Sequence, residues 1–190
     1  VAAFSIFVFF ASLGMEQGVE RYIGYYKDKP KYLKVVVSSG VKVAFFSSII
    51  FAVFLFFFSG KISPIFSSNP DLKIIIMILS FAIPFWAVGE VLLAAMRGFK
   101  KIEFAVFFKQ FLEPVIKVVL TIILLFLGYN IFGVVWAVLA SIVISFIFVL
   151  VLFLRKFYYP LPSSPKEVKL IKTLFDFSWP LLLIGVMFTL

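Results

Sequence analysis

Three residues within one apolar run have the types and the spacing to do chemistry. Lys109, Glu113 and Lys117 step by four along Phe104 to Leu127, which in a helix puts two ammoniums and the carboxylate between them on one face. Counted from Glu103 at about 1.5 Å per residue, they lie about 9, 15 and 21 Å along that helix. A charge at the centre of a membrane-spanning helix costs about 2.5–3.5 kcal/mol. Lys109 is close enough to one end to snorkel back to the head groups. Lys117 lies near or beyond the middle of a hydrocarbon core about 30 Å thick and has to face protein or water. On insertion scales the apolar residues of this run contribute roughly −7 kcal/mol against about +9 for its three charges, so the helix needs partners and a hydrated cavity, the setting a polar substrate would also need. The competing reading is a structural ladder in which Glu113 simply neutralises its two neighbours.

Other ionisable residues inside apolar runs carry weaker signals. Glu90 and Arg97 are seven apart on one helical face, and the short Glu90 stem cannot reach water, so cavity lining and a structural role both stand. Glu16, Glu20 and Arg21 close the first run; an interfacial position accounts for Glu20 and Arg21, and less well for the deeper Glu16. Lys42 lies about 10 Å beyond Val35, within snorkelling range. Asp176 reads as interfacial or as a helix cap. Pro84, Pro114 and Pro180 fall inside apolar runs, where the ring removes a backbone hydrogen bond and kinks a helix. Pro114, directly after Glu113, frees a carbonyl within the polar stripe.

Composition excludes much else. With no Cys and no His there is no disulfide, thiol nucleophile, imidazole base or soft metal site. There is no phosphate-binding P-loop, no paired-aspartate Mg²⁺ motif, no G-x-S-x-G and no potassium-filter sequence. No cofactor, metal or enzymatic activity is expected, and the net charge of +9 does not imply nucleic acid, because the basic residues sit between apolar runs.

The elements that must position these residues are membrane helices. Hydrophobic residues make up 64% of the 190 and charged residues 14%, with a mean hydropathy of +1.18, too little polar surface for a water-soluble domain. Six runs have the character of spans: Val1 to Val19, Val35 to Phe58, Ile74 to Met96, Phe104 to Leu127, Ile131 to Leu154 and Leu174 to Leu190. Stretches such as Val118-Val119-Leu120 and Ile122-Ile123-Leu124-Leu125 are apolar on every face, which fits helices and not the alternating strands of a membrane barrel. The fold class expected is an all-α, polytopic integral membrane bundle. Thirteen Lys and Arg fall in the first, third and fifth connections, and only Lys61 and Lys73 in the other two, which places the three basic connections in the cytoplasm. Ser59 to Lys73 reads as an outer loop, and Arg155 to Thr173 as a cytoplasmic linker ending in a short amphipathic helix. The first and last runs are expected to be cut, with a helix preceding Val1.

Several stretches resemble a known family. Ser12-Leu13-Gly14-Met15-Glu16-Gln17-Gly18-Val19-Glu20-Arg21-Tyr22-Ile23 resembles the end of the second helix of polysaccharide biosynthesis proteins, the O-antigen and lipid-linked oligosaccharide flippases of the multidrug/oligosaccharidyl-lipid/polysaccharide exporter superfamily. Ala82-Ile83-Pro84-Phe85 with Leu92-Leu93-Ala94-Ala95-Met96-Arg97-Gly98 is similar to their fourth helix and the turn after it. Phe175-Asp176-Phe177-Ser178-Trp179-Pro180-Leu181 is similar to the start of their seventh. The resemblance implies one lobe of a two-lobe exporter: helices of the first lobe over residues 1–154, the linker over 155–173 and the opening of the second lobe over 174–190.

By this resemblance the protein flips a polyprenyl-diphosphate-linked glycan across the cytoplasmic membrane by alternating access. The diphosphate needs cations in a low-dielectric cleft, and those available are Lys117, Lys109, Lys42 and Arg21. Glu113, Glu90 and Glu16 would balance charge in the empty cavity or couple flipping to H⁺ or Na⁺. The expected partners are the lipid-linked glycan, membrane lipids, that coupling ion and the second lobe of the same chain. The competing readings are a cation-coupled multidrug exporter of the same superfamily, a membrane enzyme acting on polyprenyl-linked sugars, and a non-transporting scaffold. The excess of cations at depth argues against the multidrug reading.

Overall fold

The computed structural model describes residues 11–66 and 71–158. Within them the chain is helical: α1 (Met15–Tyr25), α2 (Pro30–Phe66), α3 (Asp71–Ser80), α4 (Ile83–Gly98), α5 (Ile102–Val106), a π-helical segment (Phe107–Leu112), α6 (Glu113–Phe126), α7 (Ile131–Phe153) and a second π segment (Leu154–Tyr158). There is no strand among the described residues. The expected run Leu174 to Leu190, with Pro180 and Asp176, lies outside them, as does nearly all of the Arg155 to Thr173 linker.

Helix α4 is the centre of the bundle. Its small and branched residues allow close approach, and Val88, Val91, Leu92, Ala95 and Met96 join Met15, Val19 and Ile23 of α1, Val36, Val37 and Ala44 of α2, and Val149 and Phe153 of α7 in one buried cluster. Gly98 marks a close crossing of α1 and α4. A Cβ there would come within 2.9 Å of both the Glu20 carbonyl oxygen and the Ile23 Cβ, so α1 and α4 meet this closely only because position 98 has no side chain. The sequence run Val1 to Val19 ends too early for this contact. Past a turn at Leu13–Gly14, with φ of 53° and 66°, α1 continues to Tyr25, because Ile23 is buried against α4 and Glu20 finds a partner there.

Three other boundaries differ from the hydropathy reading. The expected loop Ser59 to Lys73 is helical up to Phe66 and again from Asp71, since serines satisfy themselves within the helix; the Ser59 hydroxyl, for example, donates to the Phe56 carbonyl at 2.9 Å. The expected span Ile74 to Met96 is two helices bent by 47° at Phe81–Ala82. Pro84 causes this break, as it has no N–H to give to Ser80, four residues back. The run Phe104 to Leu127 is three consecutive helical pieces, in which the Glu113 N–H reaches back five residues to Phe108 and not four. Pro114 again follows directly, and the wider π turn takes up the lost hydrogen bond.

Helix ends are set by local chemistry. Helix α6 stops where Gly128 adopts φ 84°, with the Tyr129 N–H on the Leu124 carbonyl at 3.1 Å. Lys100 makes the same kind of ending after α4 at φ 60°, with the Lys101 N–H on Met96 at 3.0 Å, although it is not a glycine. Near the turn from α1 into α2, the rings of Tyr22, Tyr25, Tyr26 and Tyr32 pack with centroids 5.0–6.5 Å apart, beside the exposed Lys27, Lys29 and Lys31.

Lys31–Pro64 and Ile131–Phe157 are each long and apolar enough to cross a membrane, and the bent pair α3–α4 makes a third such span if its halves count together. Helix α6 has no fully buried residue, and Val118, Val119, Ile122, Ile123 and Phe126 are exposed. Apolar side chains on the outside of an all-helical bundle belong in lipid or against further helices. The protein is an all-α membrane protein.

Candidate functional site

The structure joins the predicted stripe to a partner on another helix. Lys109, in the π segment, does not turn back toward the end of its helix as a snorkelling lysine would; its ammonium is on the Glu90 carboxylate of α4. The same Glu90 oxygen accepts the Trp86 indole N–H at 2.9 Å, and the ammonium lies 4.7 Å from the centroid of the Trp86 ring. Glu113 then bridges the two lysines, one oxygen 3.8 Å from Lys109 and the other 3.9 Å from Lys117. A single file results: Trp86, Glu90, Lys109, Glu113, Lys117. Signs alternate along it, so two ammoniums and two carboxylates sum to zero charge. Such compensation is what allows four charged groups to share an apolar bundle.

Exposure grades along this file. The Glu113 side chain is 16% exposed and that of Glu90 23%, while Lys109 and Lys117 keep 38% and 40%. The carboxylates are therefore inside and the ammoniums at the edge. Lys117 is neither directed wholly outward nor sealed in. A cavity of about 30 Å³, room for about two waters, lies behind the carboxylates and is lined by Trp86, Glu90, Phe108, Glu113 and Ser145 among others. The Ser145 hydroxyl on α7 is buried and has no hydrogen-bond partner among the described residues, which is the situation an ordered water relieves. A second hollow of about 520 Å³ opens at the break between α3 and α4, lined by Phe45, Ile49, Phe56, Phe81, Pro84 and Phe85. Phe85 belongs to both walls.

The other expected site residues are dispersed. Glu90 does not pair with Arg97; Arg97 reaches α1 and donates to Glu20 at 2.8 Å, a contact across 77 residues that closes the same crossing as Gly98. Glu16 is on α1 with one carboxylate oxygen buried and without a partner among the described residues, but it does not line the charged cavity. Lys42 and Arg21 are exposed on α2 and α1 and do not line it either. Of the four proposed cations, two are thus brought together. Trp86 and Ser145 were not candidates. Trp86 carried a signal in the sequence, four residues before Glu90 and hence on its face, whereas Ser145 carried none.

No group of three or more acidic residues is placed to hold a metal ion among the described residues. What the arrangement presents chemically is charge: paired ammoniums at the edge of an apolar bundle, backed by carboxylates.

Among curated proteins and solved structures no match is found. The family model described as polysaccharide biosynthesis protein matches residues 1–190, the entire sequence. With that match added to the all-helical membrane bundle, the chain belongs to the polysaccharide biosynthesis protein family.

Proposed function

We propose that this chain is the first lobe and lobe linker of a flippase that carries a polyprenyl-diphosphate-linked glycan across the cytoplasmic membrane by alternating access, without enzymatic chemistry. The observation that carries the reading is the alternating file with Lys109 and Lys117 at its open edge. An anionic head group crossing an apolar slab gains most from cations whose own counter-ions are close but not enclosing, because attraction in a low-dielectric site is stronger than in water. The cavity of about 30 Å³ is far too small for a diphosphate, so the head group would meet the lysines on the outer side of the π segment and α6, where the second lobe would supply the opposite wall. The apolar hollow shares Phe85 with the charged cavity, which gives a prenyl chain a place beside its own head group.

Orientation follows from the basic connections, which put the α1–α2 and α4–α5 turns on the cytoplasmic side of a multi-pass protein. Glu113, Glu90 and Glu16 remain the residues through which H⁺ or Na⁺ would couple. The test is Lys117→Ala in the full-length protein: export of the glycan is abolished while the protein still inserts and accumulates. Normal export in that variant would overturn the reading. Lys117→Arg retains part of the activity, because a guanidinium also serves a phosphate.

A further inference from the structure

The two lysines are held very differently. Lys117 meets Glu113 alone among the described residues, at 3.9 Å. Lys109 is held from three sides: by Glu90, by the face of Trp86 at 4.7 Å and by Glu113 at 3.8 Å. Trp86 also fixes the carboxylate, since its N–H at 2.9 Å and the ammonium share one Glu90 oxygen. The indole therefore orients both members of the pair, anion through its edge and cation through its face. Nothing about a lipid-facing helix requires this, because Lys109 lies shallowly enough to satisfy itself by snorkelling.

We propose that Glu90, clamped by Trp86, is an internal competitor for the Lys109 ammonium and sets a charge threshold that an entering head group has to exceed, so that diphosphates are admitted and singly charged phosphodiesters are not. This rests on the reading that an anionic head group meets Lys109 and Lys117. The chemistry is a comparison of anions. Glu90 offers one negative charge already in place and already desolvated, so a ligand of similar charge gains little by displacing it. A ligand with greater charge spread over several oxygens reaches Lys109 and Lys117 together and wins. Discrimination through a built-in opposing contact is a common route to specificity. Glu90 and Trp86 are positioning residues here; neither touches the ligand.

The experiment uses the full-length protein in lipid nanodiscs and measures how fast a small amine-reactive reagent modifies Lys109, read by peptide mass spectrometry, alone and with farnesyl diphosphate or farnesyl methyl phosphate, a phosphodiester with one negative charge, as protectant. Without any phosphate, Glu90→Gln speeds modification about tenfold, and Trp86→Phe, which keeps a ring but loses the donor, about threefold. In the wild type farnesyl diphosphate protects and the phosphodiester does not, whereas in Glu90→Gln both protect. Equal modification rates in the wild type and both variants would overturn the clamp. A ratio between the two phosphates that stays the same in Glu90→Gln would overturn the threshold. Faster modification in the variants with no protection by either phosphate in any protein would leave the clamp standing, and would remove the anion reading and the threshold with it.

Discussion

Helices α4 and α6 lie on opposite sides of the charged file and solve the problem of a buried charge in opposite ways. In α4, ten of 16 residues are buried and the single acid in mid-helix, Glu90, is held by groups from its own helix and from the π segment. In α6 no residue is fully buried, and among the described residues Lys117 finds only Glu113, one turn away on the same helix. A charge in a packed helix has to be fixed by a partner, because an unpaired one costs several kcal/mol there. A charge on an edge helix keeps partial exposure and stays available to something that arrives. The difference separates a carboxylate enclosed by its partners from an ammonium left partly open.

The comparison can be broken most severely at the α1–α4 crossing. Gly98→Leu has no room for its Cβ, let alone the rest of the side chain, and is expected to drive the helices apart, separate Arg97 from Glu20 and leave no folded protein by size-exclusion chromatography. Next in size, Met96→Ala empties a fully buried position and should lower stability by about 2–5 kcal/mol, seen as a lower thermal midpoint in detergent. Val119→Ala on α6, half exposed in this chain, should lower stability by no more than about 0.5 kcal/mol. If the two shifts were equal, the contrast between the helices would not hold.

Glu113→Gln sharpens the comparison from the electrostatic side. It removes the carboxylate shared by both lysines and is expected to cost about 1–2 kcal/mol, less than a sealed ion pair would, because Lys109 and Lys117 retain about 40% of their side-chain exposure. The smallest effect is expected at the outer pair Lys101–Glu103, which is 3.8 Å apart with side chains 51% and 63% exposed. Lys101→Ala should change stability by about 0.5 kcal/mol or less, with most of that gone at high salt.

The stripe on α6 was legible because partners four apart on a helix are adjacent in sequence as well as in space. Glu90 with Lys109, 19 residues apart, and Glu20 with Arg97, 77 apart, join separate helices, and no one-dimensional spacing marks them. The snorkelling argument for Lys109 treated the helix as if it stood alone in lipid. In the bundle, a carboxylate and an indole are within its reach. The break before Pro84 and the π turn before Pro114 were expected as kinks, and their form, a 47° bend in one case and a wider turn in the other, depended on what each helix packs against.

The sequence by itself determined the solvent and the class: with this hydropathy and so few charges the chain belongs in a membrane, and in hydrocarbon only helices can satisfy such uniformly apolar runs. Depth along the helix also implied that Lys117 has to face protein or water. The tertiary structure decided which carboxylate holds which lysine, that Trp86 clamps one pair, and that α6 lies at the edge while α4 is enclosed. Those outcomes depend on distances between helices, and in a membrane such distances are set by which small residues let two backbones meet, as at Gly98, and not by the hydrophobic periodicity of any one segment.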